Sequence, residues 1–115
     1  MSNIVQVKYS KTRHSVTRAL YQYDYGQVLV LDEGFIFEDT YEVHFSNKES
    51  DEDVIVVTGD INGVAIPDEC FQSGNDIEAW IYYHDGESDG ESVYKITIPV
   101  VRRAHYTKPD ISGGE

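Results

Sequence analysis

The longest alternating pattern of hydrophobic and polar positions lies in residues 77–101. It comprises two segments, 77–84 and 93–100, and period-two alternation places successive side chains on opposite faces of a sheet. The segment between them, 85–91, is acidic and contains two glycines, which predicts a turn. We therefore predict an antiparallel hairpin with the largest buried surface of the chain. Its apolar face comprises Ile77, Ala79, Ile81, Tyr83, Tyr94, Ile96, Ile98 and Val100.

Shorter strand patterns precede this hairpin. Residues 41–46 alternate cleanly, and residues 54–58 are apolar and mostly β-branched, which is typical of strands. Residues 67–74 begin with a proline and two acids and end with a glycine, which favours one short helical turn. The whole pattern gives about seven or eight short strands with turns at regular spacing. We predict an all-β fold, a single antiparallel immunoglobulin-like β-sandwich with one short helical turn near 67–74.

The length of 115 residues fits one domain with a core of its own. We predict a basic N-terminal arm or strand at 1–14, the sandwich domain at 15–103 and a flexible tail at 104–115. Cys70 is the only cysteine, which excludes an internal disulfide and a metal site built on several thiolates. We expect Cys70 to be a small core residue, because no basic neighbour in the sequence lowers its pKa.

The formal net charge of −12 is unevenly distributed along the chain. Residues 1–20 contain four bases and no acid, whereas Lys48 is the only base in residues 21–92. The acidic body argues against a nucleic-acid partner, because phosphates and carboxylates repel each other. Either the charge provides solubility through self-repulsion, or the basic ends bind an acidic partner. In the second interpretation the first contact residues are Lys8, Lys11, Arg13 and Arg18.

The sequence shows neither a membrane-spanning pattern nor a secretion signal. No run of about 18 apolar residues exists, so we expect no membrane partner. The N-terminus lacks a hydrophobic signal segment, and we expect a protein that is made and folded in a cytoplasm.

Candidate catalytic and metal sites are weak. The turn 85–91 resembles the front half of an EF-hand loop, but the closing bidentate Glu would fall at Ile96. An acidic hairpin tip that keeps the sheet edge soluble is the favoured interpretation.

The histidines are scattered, and a spatial pairing of His44 with His84 stays open. No serine occupies a glycine-rich elbow. We expect no enzymatic activity, no cofactor and no metal.

Trp80 and Tyr82 project from the face of their strand opposite Ile77, Ala79 and Ile81. Either a second sheet layer covers these two rings, or they are exposed. Exposed aromatic groups on a rigid sheet are typical of contact surfaces, which makes Trp80 and Tyr82 candidate partner-binding residues.

Several blocks of the sequence carry a family resemblance. They are RALYQYDYGQVL at 18–29, YEVHFSN at 41–47, GVAIPD at 63–68, and AWIY at 79–82 followed by YKITIPVVRR at 94–103. In this order and spacing, over about residues 16–103, the chain resembles small β-sandwich structural domains encoded by tailed phages and prophages of Gram-positive bacteria. In longer members this domain stands first and precedes coiled-coil or fibre segments. The present sequence ends soon after Arg103, so we expect a stand-alone coat or accessory protein.

The resemblance implies a non-enzymatic virion protein on the exterior of the capsid or tail, with other virion proteins as partners. We also expect self-association, since lattice proteins are usually symmetric and an open β edge can pair across a two-fold axis. Two alternatives stay open. One is a carbohydrate-binding module that grips host cell-wall glycan through Trp80 and Tyr82. The other is a small acidic inhibitor of a host nucleic-acid-binding protein.

Overall fold

The structure, a computed structural model, describes residues 3–35, 39–47, 54–83 and 92–103. Within them lie ten strands and one 3-10 helix, Asp68–Phe71. The strands are β1 Ile4–Val7, β2 His14–Val16, β3 Leu20–Tyr21, β4 Val28–Leu31, β5 Tyr41–Asn47, β6 Ile55–Gly59, β7 Val64–Ala65, β8 Ile77–Tyr83, β9 Ser92–Ile98 and β10 Val100–Val101. No helix of the described residues has the length and apolar character that crossing a membrane requires.

The larger sheet has five strands in the order β2-β9-β8-β5-β6. Its centre is the hairpin predicted from the sequence, because β8 and β9 pair antiparallel from Ile77 opposite Ile98 to Tyr83 opposite Ser92. The side chains of β8 alternate between buried and half-buried positions along the whole strand. This alternation leaves one face of the sheet for the core and one face that none of the described strands covers.

A three-stranded sheet, β1-β4-β7, and the strand pair β10-β3 pack on the inner face of the large sheet. Val5, Val7 and Leu29 from the smaller sheet and Leu20 from β3 join one core with the apolar residues of β5, β8 and β9. The 3-10 helix contributes Cys70 and Phe71 to the same core. The fold is therefore an all-β sandwich with one short helical turn, as predicted.

The edge pairings differ from a purely antiparallel sandwich. β1 pairs with β4, β2 with β9, and β3 with β10, all in parallel. The first part of the chain crosses between the layers, because β1 belongs to the small sheet and β2 to the large one. Such crossovers supply the long connection that a parallel pair needs.

The predicted second strand of the hairpin is also shorter than expected. β9 ends at Ile98, and Val100–Val101 form the separate strand β10, which pairs with β3. Pro99 lies between them and lacks the N–H that would continue the ladder. The Pro99 carbonyl instead accepts the N–H of Leu20 at 2.9 Å.

Some predictions concern parts of the chain outside the described residues. These are the acidic turn 85–91, His84 and the tail 104–115. The segment 1–14 includes β1, whose Val5 and Val7 are buried in the shared core.

Candidate contact surface

The side of the large sheet that faces away from the core carries both aromatic site residues predicted from the sequence. We call this surface the outer face. It is defined by alternate residues of the five strands: His14, Val16, Glu42, His44, Ser46, Val56, Thr58, Glu78, Trp80, Tyr82, Val93, Lys95 and Thr97. The other sheet packs on the opposite side, so among the described strands the outer face has no covering layer.

Trp80 lies at the centre of a row that crosses all five strands. The register places Lys95 and His44 on either side of Trp80, with His14 beyond Lys95 and Val56 beyond His44. The Lys95 ammonium lies 5.1 Å from the centroid of the indole ring, which is within cation–π range. The same ammonium pairs with a Glu78 carboxylate oxygen at 3.3 Å. Trp80 is therefore held in place and half-buried by its neighbours.

Tyr82 occupies the adjacent position on the same strand face. Its ring meets the His44 imidazole edge-on, with the ring centroids 4.6 Å apart. His44 Nε2 lies 2.9 Å from a Glu42 carboxylate oxygen, and Glu42 is in turn the cross-strand neighbour of Tyr82. The three side chains form a polar–aromatic cluster that fixes the Tyr82 ring without burying it.

Exposed valines flank the two aromatic residues. Val16, on β2, is 62% exposed and Val56, on β6, is 50% exposed. They lie on the two outermost strands of the sheet, with the aromatic pair between them. The outer face is thus mostly polar, with an aromatic pair at its centre and exposed valines on its outermost strands. Enrichment in Trp and Tyr, and not overall apolar character, is what distinguishes protein-contact surfaces.

Three of the four predicted basic contact residues lie together. Lys8, Lys11 and Arg13 are exposed and belong to the segment that joins β1 to β2. The backbone at Arg13 has a φ of 61° and is fixed from both sides. Its N–H donates to the Ser10 carbonyl at 2.9 Å, and its carbonyl accepts the Lys95 N–H at 3.0 Å. These two bonds fix the backbone at Arg13, which directly precedes β2.

Arg18 lies at the other end of β2. Its guanidinium donates to the Ile4 carbonyl at 3.1 Å, whereas the Ser15 hydroxyl donates to the Lys8 carbonyl at 2.6 Å. Ile4 and Lys8 are four residues apart, which is about 13 Å along an extended chain. Within the described residues none of the four bases has a carboxylate within 4.0 Å. Their positive charges are not neutralised by a neighbouring acid there.

Sequence reasoning missed the exposed apolar positions. The local pattern predicts a strand at residues 54–58 but does not predict that Val56 is exposed. Ile61, at the tip of the turn that follows β6, is 83% exposed. The missing information is that β6 is an edge strand of the sheet, which depends on the pairing of distant segments and not on local pattern.

The remaining candidate residues can be followed only where the structure describes them. Across the described ranges, no group of three or more His, Cys, Asp or Glu side chains is arranged to hold a metal ion. The register sets Trp80 opposite His44, and the pairing of His44 with His84 stays untested because His84 lies outside the described residues. Cys70 is 3% exposed, which confirms that it is a core residue. Burial, with a smaller contribution from Glu69, raises the pKa of its thiol to about 11.

Comparison with models of known protein families and with curated proteins finds no match to this chain. The resemblance to phage structural domains therefore rests on the sequence blocks described above.

Proposed function

We propose that the chain is a non-enzymatic structural protein of a bacteriophage virion that binds the exterior of the capsid or tail. The proposal combines two independent lines of support. The first is the order of the sequence blocks over residues 16–103, which resembles phage structural domains. The second is a preformed surface suited to protein contact on the large sheet.

The outer face is the single observation that carries the proposal. Trp80 and Tyr82 are half-exposed rings whose positions are fixed by Lys95 and His44. Aromatic anchors that are ordered before binding lose little conformational entropy on association. Tryptophan and tyrosine are also the residues most enriched among energetically dominant contacts. The surface can therefore bind a flat protein partner without rearrangement.

The bases that precede β2 determine which partner fits. Lys8, Lys11 and Arg13 form no ion pair with an acid of the described residues and place positive charge at one end of β2, while residues 21–92 contain a single base. The partner surface should therefore be acidic where it meets this end. Charge complementarity of this kind increases the association rate and fixes the orientation of the bound domain.

Charge reversal tests the basic contact. The variant with Lys8, Lys11, Arg13 and Arg18 all replaced by Glu should lose occupancy on purified phage particles, measured by quantitative mass spectrometry after washing. A matched pair of single variants, Arg13→Glu and Arg102→Glu, controls for net charge, because Arg102 is an exposed base after β10. Arg13→Glu should reduce occupancy more than Arg102→Glu. Unchanged occupancy of the fourfold variant would contradict the basic contact.

The position within the virion needs a separate measurement. Mass spectrometry of separated heads and tails should find the protein in one fraction at a fixed copy number per particle. Absence from both fractions would contradict the virion role as a whole.

A second candidate function is recognition of host cell-wall glycan. It is favoured by the placement of Trp80 and Tyr82 on one face of one strand, two residues apart. Against it, Lys95 covers the indole at 5.1 Å and reduces the ring surface on which a sugar can stack. Trp80 is the only tryptophan, so its fluorescence reports this site directly. A saturable shift with purified wall polysaccharide would favour the glycan module, and no shift would favour protein contact.

A further inference from the structure

The two edges of the large sheet are both open to pairing. β6 forms one edge and β2 the other, and each pairs with a single strand among the described residues. Open edges invite association unless proline or charge protects them. β6 reads Ile-Val-Val-Thr-Gly and contains neither, and β2 reads His-Ser-Val.

The outward backbone groups of β6 can be assigned from its turn. Asp60 and Gly63 exchange hydrogen bonds across the turn to β7, at 3.2 and 2.9 Å, so the Asp60 backbone faces away from β5. Since backbone groups alternate sides along a strand, those of Val56 and Thr58 face away from β5 as well.

The outward groups of β2 follow from its parallel ladder. The Arg13 carbonyl and the Thr17 N–H bind β9, at 3.0 Å each. Backbone groups of successive residues in a strand point to alternate sides. Those of His14 and Val16 therefore point away from β9. There the His14 carbonyl accepts only a long bond, 3.4 Å, from the Thr12 hydroxyl.

The residues that surround the two edges carry opposite charge. Lys11 and Arg13 precede β2 and Arg18 follows it, and no acid occurs in residues 1–20. β6 itself carries no charged residue, but Asp60 directly follows it and Glu42 lies opposite Thr58 on the neighbouring strand β5. Neither of these two strands contains Lys or Arg. Pairing β6 with a second β6 would bring like charges together, as would pairing β2 with a second β2. Pairing β2 of one copy with β6 of the next brings opposite charges together.

Strand directions agree with this pairing. β2 runs parallel to β9, and three antiparallel steps from β9 lead through β8 and β5 to β6. β2 and β6 therefore run in opposite directions. A copy displaced sideways without turning over places its β6 antiparallel to β2, with its outer face on the same side.

We propose that copies of this protein associate head to tail, with the basic β2 edge of one copy pairing with the acidic β6 edge of the next. The partner is a second copy of this chain, and the contact is heterologous, so it propagates into a row or a ring. The proposed virion role supplies the repeating array in which this contact would operate. The pairing of the two edges is itself argued from strand direction and charge, and does not depend on that role. The strands are short, and a contact this small is weak in free solution and accumulates strength in an array.

Charge exchange between the edges tests the proposal. One variant, Lys11→Glu/Arg13→Glu, makes the basic edge acidic. The other, Val56→Lys/Thr58→Lys, makes the acidic edge basic, at exposed side chains that carry no charge to begin with. Sedimentation velocity measures the association of each protein at about 0.1 M salt. At this salt concentration the Debye length is about 10 Å, so the overall repulsion between the acidic proteins is screened while close charge pairs are not. Circular dichroism should confirm that both variants keep the β spectrum.

The wild type should show mass increasing with concentration, and each variant alone should associate about tenfold more weakly. An equimolar mixture of the two variants should regain association, because each then meets an edge of opposite charge. A wild type that stays monomeric up to millimolar concentration overturns the proposal. So does a mixture that stays monomeric. Loss of association in only one of the two variants also overturns it and indicates a two-fold pairing through that edge. Particle occupancy is measured separately, so failure here leaves the virion role to its own test.

Discussion

Gly59 lies directly beneath the ring of Tyr41 on the neighbouring strand. The two residues are cross-strand partners, and a Cβ built on Gly59 would lie 2.5 Å from Tyr41 Cε2. The Tyr41 hydroxyl passes over the glycine and donates to the Asp60 carbonyl at 3.0 Å. A side chain at position 59 would therefore displace the ring and the hydrogen bond together.

Gly59→Ala should destabilise the protein by about 1–3 kcal/mol, the usual cost of overpacking a fitted core position. Thr58→Ala is the matched control, since Thr58 is an exposed neighbour on the same strand. It should change stability by no more than about 0.5 kcal/mol. Urea denaturation followed by circular dichroism measures both. Equal stability of the two variants would show that the Tyr41 ring moves without cost.

The Tyr94 hydroxyl connects the core to the segment that joins β1 to β2, which carries Lys8, Lys11 and Arg13. Tyr94 is fully buried, yet its hydroxyl accepts the Ser10 N–H at 2.7 Å and shares a hydrogen bond with the Ser15 hydroxyl. These two serines flank Lys11 and Arg13 in the sequence. The buried phenol thus holds both sides of the segment that presents these bases.

Tyr94→Phe should cost about 1–2 kcal/mol, because the Ser10 N–H loses its acceptor while the ring packing remains. The exposed residue Tyr21 provides the control, and Tyr21→Phe should leave the unfolding free energy unchanged. Hydrogen exchange should show faster exchange at Ser10 in Tyr94→Phe. Unaltered protection at that amide would argue that another group accepts its hydrogen.

Local pattern predicted the centre of the sandwich and failed at its margins. The alternation in β8 and β9 determines which residues are buried, since a shift by one residue would expose Ile81 and Ile96. The sandwich layers and the helical turn at Asp68–Phe71 followed from the same local signals. The parallel pairing of β2 with β9 did not, because it joins residues some 80 positions apart and no short-range feature encodes it.

The candidate surface shows the same division. Alternation assigned Trp80 and Tyr82 to the outer face, and the register agrees. Their contacts with Lys95 and His44 come from neighbouring strands and required the strand order. The separation of Arg18 from the other bases also depends on how β2 lies against β1, which the sequence does not state.

The free energy of unfolding should fall at alkaline pH because the buried phenol of Tyr41 ionises. Burial, and then the Asp60 charge, raise the pKa of Tyr41 to about 12, above its ordinary value of 10.0. The unfolded chain therefore releases the phenol proton at lower pH than the folded protein does. The stabilisation is complete below pH 10 and is lost as the pH rises towards 12, by roughly 3 kcal/mol in all. Cys70 acts in the same direction between its ordinary value of 9.0 and about 11.

Urea denaturation at a series of pH values from neutral to alkaline measures this loss. Tyr41→Phe removes one titrating group and should flatten the decline above pH 10, although it starts from lower stability because the bond to Asp60 is lost. Thr58→Ala, at an exposed position, removes no titrating group and should leave the decline as it is in the wild type. A decline that is the same in all three proteins would contradict the assignment to Tyr41.

Trp80→Ala should separate binding from folding. Truncation of a buried aromatic residue to Ala costs about 3–5 kcal/mol of unfolding free energy. The Trp80 indole is half-exposed on the outer face, so Trp80→Ala should cost less than that. As a central aromatic anchor it should nevertheless weaken binding to phage particles by about 2 kcal/mol or more, roughly thirtyfold. Tyr21→Ala is the matched control, because Tyr21 is an exposed aromatic residue on β3, away from the outer face. It should leave particle affinity unchanged. Equal losses of affinity in the two variants would place the contact elsewhere, whereas full affinity in Trp80→Ala would remove the outer face from the proposed function.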